Sequence, residues 1–460
     1  MVGNKSQTPI LVVLFMGVLM AALDIAILGP SIPAIRETFQ LSERQVSWVF
    51  SVWVLANLVS VPIMSKMADR FGRKLIYMLD IALFSIGGLV VALAPGFEVL
   101  LVGRALQGAA ASGIFPVAGA VIGDAFEPEK RGRAFGVLGS VFGVAFIIGP
   151  ILAGLMLNVG WRWLYVAFTP LGLILLGLCW FILPKDRARG EHPLDVKGLL
   201  SLAGILLALS YAISVLDTSN LGASLSEWRV INSLIVIVVL VPIFIKATLR
   251  ASDPVLRIDL FKNRQVSLAL LIAIGAGISE AAFLFFPTIA VLSFQVTLSE
   301  ASYMLLPLMI AVAIGSPLAG RLLDRYGSKV IVLLSLGLLS VGMLGIASSP
   351  DVKVVFYVAS ICIGLGLAGL LGSALSYILI HEADKQERAT SQGAITLFIS
   401  IGQLLSAAMV GAITASSVVE LDGFKNAFTV IVVITFVLIG FAFLLKNHSD
   451  EKKTVFRDSP

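Results

Sequence analysis

Asp24, Arg104 and Glu280 are ionisable residues set deep inside long apolar runs of this chain. A charged group at membrane depth is costly unless paired or hydrated, so each is a candidate functional site. Asp24 lies about six residues from the outer end of its run, roughly 9 Å inward at the helical rise. Arg104 lies about six residues, the same depth, from the outer end of its own run. Asp24 can bind a proton or a cation there, with Arg104 tuning it directly or through water. Alternatively, the two form a fixed ion pair that holds helices together. Glu280 sits mid-run, within Gly277-Ile278-Ser279-Glu280-Ala281-Ala282-Phe283. A carboxyl group held away from water takes up protons more readily, and once deprotonated it attracts cations. The competing reading is a locally satisfied glutamate at a cavity mouth. Asn57, Gln107, Tyr303 and Gln403 are polar groups in apolar runs, suited either to line a cavity or to hold helices together. Gln107 follows Arg104 by one helical turn and shares its face. Asp80 lies near Arg73 and Lys74 and is expected to pair with that basic stretch.

The elements that must position these groups are membrane helices. Apolar residues make up 58% of the 460 and charged residues only 13%, against about 25% charged in an average soluble domain. Fourteen candidate spans follow: 10–29, 47–64, 75–94, 98–119, 134–157, 163–183, 199–217, 230–248, 266–292, 300–319, 330–349, 354–379, 392–415 and 426–445. Their length and unbroken apolarity require helices, because only internally bonded backbone crosses lipid in a single segment. The pair 199–217 and 230–248 is either two spans or one re-entrant unit; the aliphatic run 230–248 favours two spans. An even count puts both termini on one side. Most Lys and Arg residues then fall on that side, which predicts cytoplasmic termini. The net charge of +5 reflects these short basic loops and does not point to nucleic acid. Cys179 and Cys362 lie within apolar runs, with no disulfide framework in prospect.

An internal echo divides the chain. Asp69-Arg70-Phe71-Gly72-Arg73-Lys74 follows the second span, and Asp324-Arg325-Tyr326-Gly327-Ser328-Lys329 follows the tenth. Two related six-helix bundles, residues 1–183 and 265–446, would flank a linker and two-helix insertion at 184–264, with a tail at 447–460. The fold expected is therefore an all-α polytopic membrane protein in a 6+2+6 order. Repeats of this kind are typical of alternating-access transporters.

Several motifs, in order, carry a family resemblance. Ser65 to Lys74 resembles the loop between helices two and three of the major facilitator superfamily, with Ser65 in place of the usual glycine. Leu101 to Gly108 resembles its helix-four motif with a buried arginine. Gly143, Gly149, Pro150 and Gly154 resemble its antiporter motif on helix five. Leu23-Asp24-Ile25-Ala26-Ile27, running to Pro33, resembles the helix-one motif of the fourteen-helix drug:proton antiporters, with Ala26 and Gly29 where threonine and asparagine are common. Trp161-Arg162-Trp163 and Asp259 to Arg264 fit the same group. The resemblance spans nearly the whole chain. It implies a proton-coupled exporter of hydrophobic or amphipathic, cationic compounds, acting as a monomer in a bacterial inner membrane. Asp24 and Glu280 would be acids across one cavity. Asp69, Arg70, Gly72, Arg73 and Lys74 would form one gating loop, and Asp324, Arg325 and Lys329 a second. In the helix-five motif, close packing and a kink at Pro150 would limit proton leak. The plainer readings are loop topology for the charged stretches and ordinary helix packing for the glycines.

The partners expected are protons, lipophilic or amphipathic compounds and membrane lipids. No cofactor or metal is expected. His192, His381 and His448 are not spaced as ligands, and no phosphate-binding glycine loop points to ATP. Phe283, Phe285, Phe286 and Phe294 either face a cavity suited to lipophilic cations or pack elsewhere. Alternatives are export of a lipid or glycolipid, proton-driven uptake, and a non-transporting sensor or scaffold.

Overall fold

The computed structural model describes residues 7–184, 195–251, 254–382, 388–448 and 451, excepting the side chains of 124, 128, 129, 132, 135, 324, 372, 373, 380, 381 and 388–392. Most of the expected linker and tail, and His192, lie outside them. The first six helices are α1 (Gln7–Phe39), α2 (Glu43–Phe71), α3 (Arg73–Leu93), α4 (Phe97–Ala125), α5 (Pro128–Leu157) and α6 (Arg162–Ile182). Next come α7 (Val196–Val215) and α8 (Trp228–Arg250). The last group is α9 (Arg264–Phe294), α10 (Leu298–Leu323), α11 (Ser328–Ser348), α12 (Lys353–Gly369), α13 (Arg388–Ala415) and α14 (Glu420–Ala442). Thirteen of the described helices are long and apolar enough to cross a membrane. The expected span 354–379 differs: α12 is shorter and passes through a π-helical turn, Leu370–Ala374, into Leu375–Glu382. Helix α1 outruns its expected 10–29 span at both ends, because backbone pairing continues past the apolar run.

Local chemistry sets the helix ends. Capping boxes, Ser42 with Gln45 and Thr297 with Glu300, start α2 and α10 by satisfying free backbone N–H groups. Gly72 (φ 97°) and Gly327 (φ 81°) turn the chain between α2 and α3 and between α10 and α11. Both lie in the left-handed region that favours glycine. The two echoed loops thus share one corner geometry.

In the N-terminal half, α3 and α2 pack on α4, α1 on α5, and α6 on α3. In the C-terminal half, α9 packs on α13, α11 on α12 and α14, and α10 on α12. Helices α7 and α8 are two separate helices packed on each other, each long and apolar enough to cross a membrane. Helix α7 also touches α2 and α13, while α8 presents most of its apolar surface outward.

Both described ends of the chain lie on one face. Gln7 reaches the Ala125 carbonyl at the end of α4 (3.4 Å), and the Lys446 backbone N–H donates to Gln265 near the start of α9 (3.1 Å). On the opposite face, Arg36 at the end of α1 meets Glu420 at the start of α14.

Candidate functional site

Asp24, Arg104 and Gln107 form one cluster with no solvent exposure, where α1, α2 and α4 meet. Arg104 Nη1 donates to both Asp24 carboxyl oxygens (2.8 and 2.9 Å) and to Gln107 Oε1 (2.9 Å). Its Nε donates to the Val49 carbonyl (3.3 Å), and its guanidinium lies 6.0 Å from the centre of the Trp53 ring. The contact foreseen from shared depth is therefore a direct ion pair. Arg104 Nη2 has no protein acceptor among the described residues. Buried donors of this kind normally find a partner, so the cluster retains hydrogen-bonding capacity beyond its own pair. Asn57 donates to the Gly108 carbonyl (3.2 Å) and ties α2 to α4.

Glu280 stands in contrasting surroundings on α9. It is partly exposed, and its carboxylate accepts a hydrogen bond from the Gln403 amide of α13 (2.9 Å). Among the described residues no ion pair is recorded for it. The halves touch where Gly29 of α1 meets the backbone of Leu284 on α9. Asp24 lies five residues from Gly29 toward the terminal face, about 8 Å along the helix. Glu280 lies four residues from Leu284 in the same direction, about 6 Å. The two acids are thus at similar depth, one in each half.

The helix-five motif forms the seam between the halves. Gly149 lies against Ala26 of α1, two residues from Asp24, and a larger residue would strike it. The Pro150 carbonyl accepts from Ser302 Oγ (2.7 Å), and the Gly154 carbonyl from Ser299 Oγ (2.5 Å), both across to α10. Tyr303 lays its ring on Gly154, so it acts at this seam. Further toward the terminal face, a Cβ built at Gly143 would only just reach Ala313 (3.9 Å). Beyond it, among the described residues, a Cβ built at Gly136, Gly139 or Gly320 would meet no packed neighbour within 4 Å. Gly139 and Gly136 are one and two turns from Gly143, on its face. The α5–α10 seam is therefore closed on the face opposite the termini and open toward the terminal face. Arg36 strengthens the closed end. It pairs with Glu43 (2.6 Å) on its own side and with Glu420 across the seam. Sequence reading missed this trio, since its members are far apart in the chain and carry no motif.

The first echoed loop makes structural ties. Arg73 donates to the Ala120 carbonyl at the end of α4. Lys74 donates to the carbonyls of Trp180 (2.6 Å) and Leu183 (3.0 Å) on α6. Arg70 stacks near Phe71 (5.4 Å), and Asp69 is half-buried beside it. In the second loop, Arg325 lies over Tyr326 (5.2 Å) and Lys329 donates to Asn447 (3.1 Å), while the Asp324 side chain lies outside the described residues.

One expectation changes, and one open choice is narrowed. Asp80 is wholly buried, and neither carboxyl oxygen has a hydrogen-bond partner, so it does not pair with the basic stretch. Arg73 and Lys74 sit at the start of α3 and reach other helices instead. Of the phenylalanines left open between cavity and packing, Phe286 packs in the core on Phe356 (5.6 Å) and Phe428 (5.7 Å) and Phe285 on Phe424 (5.9 Å), while Phe294 is only partly buried and lies beside Lys353 (5.7 Å). Phe283, Phe285 and Phe286 are buried.

A helical membrane fold in two halves, closed at one end over buried polar groups, defines a transporter rather than an enzyme. The sequence profile of the Major Facilitator Superfamily matches residues 14–407 and 269–459, and the chain belongs to that family. It is 33% identical over 424 residues to the MFS-type transporter YfiU of Bacillus subtilis, covering 90% of this chain and 81% of that one. It is 26% identical over 410 residues to Multidrug resistance protein 3 of the same organism (87% and 78% covered). Among solved structures, the nucleoside transporter NupG superposes with a TM-score of 0.68 at 14% identity, covering 95% of this chain and 99% of that one. The D-xylose-proton symporter does so with a TM-score of 0.70 at 13% identity, covering 96% and 99%. These two likenesses establish the fold alone. The protein is an integral membrane transporter.

Proposed function

We propose that this protein is a proton-coupled exporter of lipophilic or amphipathic, cationic compounds. The observation that carries the reading is Glu280, a partly buried residue of α9 whose carboxyl is hydrogen-bonded only to a neutral amide among the described residues. Such a carboxyl can hold a proton or attract a cation, and the two compete. Asp24, already paired with Arg104 and sealed from solvent, leaves Glu280 as the carboxyl that can exchange. The multidrug-resistance relatives support a drug-like cargo, and the Gly143–Gly154 motif supports export over uptake.

The chain is read as fourteen spans in the 6+2+6 order of the drug:proton antiporters, with α12 and its continuation as one span. Residues 1–183 and 265–446 are the bundles, and 184–264 carry the linker and insertion. The excess of Lys and Arg on the terminal face makes that face cytoplasmic in a bacterial inner membrane. The open end of the seam then receives cargo from the cytoplasm or the inner leaflet. The membrane potential favours proton entry and so drives the return step. The protein acts as a monomer. Closing the terminal face moves the loop ties of Asp69, Arg70, Gly72, Arg73 and Lys74, and their counterparts Asp324, Arg325 and Lys329.

Purified protein in proteoliposomes with an imposed proton gradient tests this, with internal pH as the readout. Lipophilic cations should trigger proton flux that Glu280→Gln abolishes. Equal flux with neutral compounds or lipids would overturn the cationic cargo. No flux with any compound would overturn proton coupling.

A further inference from the structure

Asp80 has no place in the mechanism above, yet it is the least accommodated acid among the described residues. It is fully buried on α3, and both carboxyl oxygens lack a hydrogen-bond partner. Its carboxyl lies against Gly113 of α4, where a Cβ would strike it. An unpartnered polar group costs stability in the interior and returns no contact here. An intramembrane acid without a structural role points to ion or proton handling.

Its surroundings leave it without a counter-charge. Tyr77, one turn away, donates its hydroxyl to the Leu14 carbonyl (3.1 Å). Cys179 on α6 is buried and uncharged as a free thiol. Arg73 and Lys74 reach carbonyls on α4 and α6, and Arg104 is bound to Asp24. Asp69 and the basic residues of α2 nearest it sit at that helix's loop end, and Arg162 and Tyr165 at the opposite end of α6.

Position supplies the remaining argument. Gly113 lies nine residues from Arg104 along α4, about 14 Å toward the terminal face. Asp80 lies seven residues, about 10 Å, inside α3 from Arg73. The α3–α4 seam therefore passes from the Asp24–Arg104 pair, through Asp80, to the Arg73–Ala120 tie of the gating loop.

We propose that Asp80 is a second proton-binding site, set in the α3–α4 seam between the buried ion pair and the terminal face. The carboxylate takes one proton to become the neutral acid and returns it; no other bond changes. Its part in transport rests on the proton-coupled reading above, but its proton binding does not.

Infrared difference spectra of reconstituted protein, stepped between about pH 5 and pH 9, test binding directly, since that range brackets buried carboxyl groups. In Glu280→Gln protein, a protonated-carboxyl C=O band should disappear as pH rises, and adding Asp80→Asn should remove it. A band unaffected by Asp80→Asn overturns the proposal. So does a band lost with Asp80→Asn that never changes with pH, since that describes a permanently neutral acid. If Asp80→Asn does not fold, Gly113→Ala keeps the carboxyl but crowds it. The band midpoint should then move, and an unmoved midpoint counts against the site. In the proteoliposome assay, Asp80→Asn should lower protons moved per cation while leaving cation affinity unchanged; an unaltered ratio overturns the role in transport. Absence of flux in the wild type with an intact infrared titration would condemn the coupling scheme and leave the site standing.

Discussion

The two halves hold their acids differently. Asp24 is sealed and bound to a guanidinium, whereas Glu280 is partly exposed and bound to an amide. A buried charge pair is hard to break, because removing either member strands the other in a low-dielectric interior. A carboxyl bonded to a neutral donor has no such lock. Asp24 is therefore held in a fixed pair, while Glu280 keeps a carboxyl that no cation among the described residues ties down.

The largest expected effect tests that contrast. Arg104→Gln should destabilise the protein by about 3–5 kcal/mol, because Asp24 is left buried without its cation. Glu280→Gln should leave thermal stability nearly unchanged while abolishing coupling. Thermal unfolding in detergent measures both, and equal losses in the two variants would erase the distinction. A smaller effect is expected from Gly149→Val, which pushes Ala26 and so the helix turn bearing Asp24. Overpacking there should cost about 1–3 kcal/mol by the same measurement. The matching change at Gly139, where a Cβ meets nothing within 4 Å, should cost far less. Comparable losses at the two glycines would refute the closed-to-open gradient along α5.

The smallest stability change is expected at the closed face. Arg36 and Glu420 are both partly exposed, so Glu420→Gln should cost no more than about 1 kcal/mol. Its effect should appear in conformation instead. A cysteine placed near Ser302 should react faster with a water-soluble thiol reagent in Glu420→Gln protein. Unchanged reactivity would mean that the Arg36–Glu420 contact does not hold that face shut.

Much of the site was legible because intramembrane charge is rare and depth can be counted. Distance from the helix ends puts Asp24 and Arg104 at one depth, and the structure makes that a direct pair. Asp80 defeated the same reasoning. Its closeness in sequence to Arg73 and Lys74 implied a pair, but those side chains extend to α4 and α6. The phenylalanines of α9 show a related limit. An apolar ring satisfies lipid, cavity and core equally well in a sequence, and only neighbours such as Phe356 and Phe428 assign it to core.

By itself, the sequence determined that this is a helical membrane protein with two echoed loops and acids at chosen depths. Lipid demands internally paired backbone and penalises charge, so apolar length and isolated acids can be read directly. Tertiary structure alone decided which acid is locked and which is accessible, that Asp80 has no partner, and which end of the seam is closed. Those outcomes depend on helix rotation and on contacts between segments far apart in the chain, such as Arg36 with Glu420 and Glu280 with Gln403. Many packings satisfy the same apolar pattern, and local sequence carries no term that selects among them.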